Sequence, residues 1–554
     1  MRSAYLHRSP HLLVALGCWL VACAAAPEPA PQAAGEDAPR LMAGLGDTQL
    51  EITTDSQLAR RYFDQGVALT YAFNHDAAAR SFEAAERLDP DCASCAWGIA
   101  LALGPNINAP MGPEAGARAY AASQRALSRA DSASAREAAL IRALSLRYAA
   151  EPPEDRTALD RAYAQAMRKV RAAYPDDVDV TTLLAEALMD LTPWDYWSAD
   201  AVPRDDTLEI LELLEFVLER DPDHIGANHY YIHATEEFFP EKAEAAADRL
   251  NALDLESGHL VHMPSHIYWR LGRYEDALDI NQRAAAADEE FFSWCRSGTF
   301  YRAAYYPHNI HFLWAAASAE GRSEIALGAA RKLEAVTAEL VAELDFLEEF
   351  QSIPILTLVR FGRWDRVLGT PQPDASLRYL TGIWHYARGI ALTRSGRSDA
   401  ARAELAALQA VVAEEAARSL VLAGGVASAS QLLSIGAAHL DGEILASLGE
   451  TDAALAALEL AVSEQDLVAY MEPPPWYFPT RQALGAVLLD AGRADKAEAV
   501  YRRDLEQYPK NGWSLYGLAE SLEAQNKTRD AAWAKQGYQN AWARADVKLE
   551  SSRF

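Results

Sequence analysis

An all-α solenoid, built from repeated helix-turn-helix units, is the fold class this chain predicts. Three observations carry the prediction. Ala, Leu, Glu and Arg dominate most of the 554 residues, and no stretch shows the apolar alternation of a strand. Two distant segments share one spacing: Gly66, Ala78, Phe82 and Pro90 stand 12, 4 and 8 residues apart, as do Gly485, Ala497, Tyr501 and Pro509. Small residues at such offsets let paired helices approach, the aromatic fills the gap between them, and proline ends the second helix. Third, a turn led by glycine recurs at Gly272, Gly321, Gly362, Gly396, Gly449 and Gly492. Five residues after each stands Ala277, Ala326, Val367, Ala401, Ala454 or Ala497. Glycine suits a left-handed exit from the first helix, and the small residue lies in the second helix against the first.

Along the chain, residues 1–22 read as an export signal: Arg2, His7 and Arg8 precede an apolar run, Leu12–Ala22, too short to span a membrane. The run ends Leu20-Val21-Ala22-Cys23, which resembles the lipobox of bacterial lipoproteins. That resemblance implies a lipid on Cys23 as the one membrane contact and, with Ala24 next, a place on the periplasmic face of the outer membrane. Cleavage among the following alanines would instead release a free periplasmic or secreted protein. Residues 23–48 form an Ala- and Pro-rich disordered tether, and residues 49–554 the solenoid, with a histidine-rich segment over 224–320.

Cys92-Ala-Ser-Cys95 has the spacing of a redox pair, but no strand-helix pattern surrounds it. Small buried residues at a helix start, or a local disulfide, stand ahead of catalytic redox use. The formal charge of -28 argues against a nucleic-acid partner, whose phosphates it would repel. Insertions at Gly104–Gly116, Glu151–Asp155, Thr192–Asp206 and Met471–Pro479 break the array. Such loops either border a binding face or plug the ends of neighbouring units.

The offsets and turns together resemble the tetratricopeptide repeat, whose ideal unit is 34 residues. The turn glycines are separated by 49, 41, 34, 53 and 43 residues, so several units carry longer helices or loops. In that family, positions 2, 5 and 9 of the first helix face a concave groove. Setting each turn glycine at position 15 places His259, His262 and His266 at 2, 5 and 9 of one unit, and His308 and His311 at 2 and 5 of the next. His439 and Glu443 take positions 5 and 9 of a later unit. His229 and His233 belong to the unit before these, where Pro240 replaces the turn glycine.

Seven histidines thus fall on three adjacent first helices at spacings that put them on one face. Glu236 and Glu237 stand one turn beyond His233 as further ligands. Such a set suits one or two transition-metal ions (zinc, copper, nickel or ferrous iron) rather than calcium or magnesium. Polar recognition of a peptide or small ligand, and histidines hydrogen-bonded within the fold, compete with that reading. Pro264 removes a backbone bond between His262 and His266 and kinks the helix. Tyr230 and Tyr268 run beside the histidines, as ligand contacts or as packing between helices.

Familiar catalytic signatures are missing. HYYIH has Tyr230 where a zinc protease carries glutamate, and there is no nucleophile elbow and no phosphate-binding glycine loop. The stretches CAWGIALALGPNINAPM, PWDYW, HYYIHATE, GHLVHMPSHIYWRLGRYEDAL and YYPHNIHFL resemble exported bacterial tetratricopeptide proteins of undefined function. That resemblance implies that Asn106 and Asn108 belong with the histidines. The first expectation is therefore an exported, lipid-anchored solenoid binding a protein, peptide or small molecule in its groove. A histidine-ligated metalloprotein, as hydrolase or oxidase, is the second, and a purely structural subunit the third.

Overall fold

The computed structural model describes residues 39–48, 50–295 and 298–554. The export signal, Cys23 and most of the tether lie outside the described residues. The rest is all-α. Helices pair in chain order, from Gln57–Tyr71 with His75–Leu88 to Gly512–Ala524 with Thr528–Ala541. Among the described residues, the sole sheet is a two-stranded hairpin pairing Val421–Leu422 with Ala427–Ser428. None of the described helices is long and apolar enough to cross a membrane.

The six predicted turn glycines all adopt left-handed backbone, with φ from 63° to 77°. At each, the next residue's N–H reaches back to a carbonyl five residues earlier: Arg273 to Tyr268 at 2.7 Å, Arg493 to Leu488 at 2.8 Å. That bond closes the first helix and starts the second. The shared offsets have a packing cause. A Cβ on Gly66 or Gly98 would sit 2.6 or 2.3 Å from the Phe82 ring, and Gly485 and Gly517 clamp Tyr501 in the same way. These hairpins are tetratricopeptide-type units of irregular length. Cys92 and Cys95 form a local disulfide at the start of helix Ala93–Ala102, the second of the readings above.

The array curls on itself. At one end Tyr71 packs on Gly226, and Phe73 reaches His229 and His259. At the other, Trp513 donates to the Ser318 carbonyl at 3.0 Å, and the Asp546 carboxylate accepts from the N–H groups of Ser323 and Glu324. Phe554 lies against Gly362. Both ends therefore close onto the middle units. The concave side is a chamber rather than an open trough.

Candidate metal centre

His229 and His233 project from helix Ile225–Thr235. Pro264 divides the next first helix into Gly258–His262 and Pro264–Arg270, with Met263 still in helical geometry, so His259, His262 and His266 keep one face. His308 and His311 come from Tyr305–Ala319.

The hydrogen bonds fix how the rings are used. His229 Nδ1 lies 2.7 Å from the Tyr71 carbonyl, which only accepts, so Nδ1 carries the proton. Its Nε2 lone pair then faces His259 Nε2 at 3.2 Å. The Asn281 amide nitrogen donates to the Ala277 carbonyl, which turns its oxygen to His262 Nδ1 at 2.7 Å. His262 Nε2 in turn faces His266 Nε2 at 3.0 Å. Glu236 lies behind two rings, with Oε1 3.2 Å from His233 Nδ1 and Oε2 2.9 Å from His266 Nδ1. Glu472, from the Met471–Pro479 loop, also accepts from His266 Nδ1 at 3.2 Å.

A carbonyl or carboxylate behind Nδ1 with Nε2 turned inward is how proteins orient metal-ligating imidazoles. Four rings have that arrangement. His233 Nε2 and His259 Nδ1 are buried without a hydrogen-bond partner among the described residues. In each of two triads, His229/His233/His259 and His262/His266/His308, ligand nitrogens lie within 4.8 Å of one another. Their close pairs match the edge, about 3.3 Å, of a tetrahedron with metal–nitrogen bonds of 2.0–2.1 Å. The triads adjoin: ring centres of His233 and His266 are 5.9 Å apart, those of His259 and His262 6.0 Å.

Burial pushes His229, His259, His262 and His308 well below the usual histidine range, and neighbouring imidazoles add to the effect. His233 is lowered by burial too. These rings are neutral at pH 7, the form that ligates metal. His266 differs. Burial pulls it down, but Glu236 and Glu472 outweigh that and raise it to about 10. Burial alone would raise Glu236, yet His266 and His233 hold it at about 2. Glu237 lines the chamber, pushed up to about 7 by burial and partly restrained by Arg270.

Two aromatic residues press on the first triad from strained backbone. Phe73 occupies a hairpin turn where other units have glycine, with φ 53°, and Trp194 sits at φ 64°. The left-handed region is unfavourable for bulky side chains and persists where surrounding structure demands it. Phe73 stacks on His233 (centres 5.9 Å apart, planes 11° apart) and packs on His229 and His259. Trp194 meets His233 edge-on at 5.0 Å and donates its Nε1–H to Asn108. The triads border a chamber of about 840 Å³, walled by the loops around Trp194, Phe300, Gly424 and Met471.

The other predicted residues divide. Asn108 lines the chamber, while the Asn106 side chain caps its own loop by accepting from the N–H groups of Asn108 and Ala109. His311 lines the chamber beyond the triads, stacked on Trp314 with burial holding it near 3. Tyr230 packs between Tyr71 and Phe73. Tyr268 donates to Asp248 under the Arg273 guanidinium, away from the chamber. His439 and Glu443 are buried but do not line the chamber, and their partners come from the chain itself: Tyr386 for His439, and Arg394 and Arg553 for Glu443. Phe73, Asn281 and Glu472 were not predicted. Glu472 lies in a loop the sequence marks only as a break, and a phenylalanine in a glycine's place is the one local signal for Phe73.

No protein-family model matches the sequence, and no curated protein matches it. Solved structures do. The APC/C hetero-tetramer Cut9-Hcn1 is similar at 12% identity over 88% of this chain and 94% of that one, with a TM-score of 0.26. The human IFIT1 dimer with m7Gppp-AAAA is similar at 11% identity over 89% and 91%, with a TM-score of 0.30. Overlaps this loose carry nothing about ligands.

Proposed function

We propose that this protein is an exported metalloprotein holding one or two transition-metal ions on its two histidine triads, at the wall of a chamber that admits a small molecule. The convergence of anchored imidazoles carries the reading: four Nδ1 atoms are committed to acceptors, and the Nε2 atoms approach in pairs at 3.2 and 3.0 Å. Three of those rings, His229, His233 and His262, are neutral with the proton held on Nδ1, so each keeps an Nε2 lone pair turned inward in a buried place. Three nitrogen ligands leave a coordination position open, as catalytic rather than structural sites do. A metal there supplies a Lewis acid or an activated water, which supports hydrolysis or oxidation as the reaction class. The chain's own part is to hold the rings in one tautomer and to keep bulk water out with Phe73 and Trp194.

Export rests on the lipobox-like Leu20–Cys23, with Cys23 as the anchor to the outer membrane. The Cys92–Cys95 disulfide suits an oxidising compartment. A chamber of about 840 Å³ has the size of a small-molecule site.

The test is elemental analysis of untagged protein from its native compartment, beside the variants His229→Ala and His262→Ala. The expected result is one or two equivalents of metal, with each variant losing the share of its own triad while helical circular dichroism persists. Substoichiometric metal, unchanged by either substitution, would sink the reading.

A further inference from the structure

The chamber's lining has a composition that selects ligands by charge. Its wall is largely aromatic and aliphatic, with Trp194, Trp197, Phe300, Phe346, Phe350 and Tyr470 among the rings. Among the described residues no lysine or arginine lines it, whereas Asp195, Glu237 and Glu349 do. Arginine is nearby but spent: Arg270 sits behind Glu472, with its Nε 3.8 Å from that carboxylate, and bonds the Glu237 carbonyl. His266, the cationic ring of the wall, is enclosed between Glu236 and Glu472, so a phosphate, sulfate or carboxylate entering here would meet carboxyl groups and ring faces, whose quadrupole repels anions. A cation or a neutral ring would meet the opposite field.

Volume narrows the class further. About 840 Å³ lies toward the upper end of small-molecule sites and takes a ligand of several fused or linked rings. Trp194 and Phe300 are 40% and 51% exposed while also lining the chamber, which places apolar rings at its mouth. Trp194 stands with one edge to His233 and the indole N–H on Asn108, so a ring entering past it arrives beside the first triad.

We infer that the chamber takes a neutral or cationic aromatic small molecule and excludes anionic ones. This rests on the reading of the chamber as the reaction site, and it names the class of molecule brought to the imidazoles. The recognition is by ring stacking and field rather than by ion pairing. It is therefore complete before any metal is present.

Three probes of one shape separate the possibilities: 2-naphthylmethanol, 2-naphthylmethylammonium and 2-naphthoate. Binding is measured by calorimetry and tryptophan quenching on chelator-treated protein, since a carboxylate would ligate a bound ion directly. The alcohol and the ammonium are expected to bind at least tenfold tighter than the naphthoate. Trp194→Ala and, separately, Phe300→Ala should each weaken them severalfold with helical content unchanged. Naphthoate binding as tightly as the others, or no binding by any probe, overturns the inference. The metal reading fails separately. Aromatic binding by a protein that takes up no metal removes the metal and keeps the ligand class, and metal uptake without aromatic binding does the reverse.

Discussion

The first helix holding His259, His262 and His266 and the one holding His439 and Glu443 carry polar groups at the same positions of the repeat, yet they make opposite things of them. Around the earlier helix two carboxylates stand behind rings: Glu236 and Glu472 take the Nδ1 side of His233 and His266, and the Nε2 sides remain turned inward. In the later unit the carboxylate is the centre. Burial alone would raise Glu443, but Arg553 and Arg394 hold it well below the usual range, and His439 is engaged by Tyr386. One constellation leaves imidazole nitrogens unused; in the other the chain's own tyrosine and arginines engage both the imidazole and the carboxylate. A groove position in the repeat is thus not enough to make a site. What matters is which side of each group its partners occupy.

The sharpest way to break the comparison is to remove each glutamate's charge. Glu443→Gln leaves two arginines in a buried place without their carboxylate. Losing one partner of such a cluster costs about 3–5 kcal/mol. Arg394 keeps 24% of its side chain in solvent, so the lower end, about 3 kcal/mol, is expected from urea unfolding. Metal content should not change. Glu236→Gln should do the reverse: metal affinity falls about 10- to 100-fold in competition with a chelator, as for other partners behind ligating histidines. If Glu236→Gln costs only stability and Glu443→Gln costs metal, the two units have been read the wrong way round.

The smallest effect tests the strained turn. Phe73→Gly relieves about 1–3 kcal/mol of backbone strain and forfeits about 3 kcal/mol of buried ring. A net loss of about 1 kcal/mol is expected in thermal or urea unfolding, together with measurably weaker metal retention. Asn526 holds the equivalent turn of the last hairpin with φ 59° and no site beside it. Asn526→Gly should change stability by only a few tenths of a kcal/mol and metal not at all.

The sequence exposed the fold more fully than the site. The turn glycines and the spacing of Gly66 to Phe82 are local: each is enforced by a neighbour within one hairpin, so each leaves a periodic trace. The histidines were legible for the same reason, because helical spacing alone puts His259, His262 and His266 on one face. Glu472 was not, since it stands 206 residues from the ring it supports and no period links them. His439 and Glu443 show the complementary limit. Register marked them as groove positions, but their partner Arg553 is fixed by how the array curls. Tyr268 illustrates the same point on the other side, where a neighbour of the histidines along the chain faces Asp248 instead.

The curl has a consequence for how the molecule comes to exist. An open repeat array can nucleate anywhere and grow unit by unit, because each hairpin touches only the next. Here Asp546 caps a helix that starts at Ser323, Trp513 bonds Ser318, and Phe73 rests on rings near residue 230 and beyond. Such pairings carry a loop-closure cost that local hairpins do not. Assembly therefore has two tempos: hairpins that form early and alone, and a closure that waits until residues hundreds of positions apart have been made. The chamber, and the pairing of its imidazoles, belongs to the second.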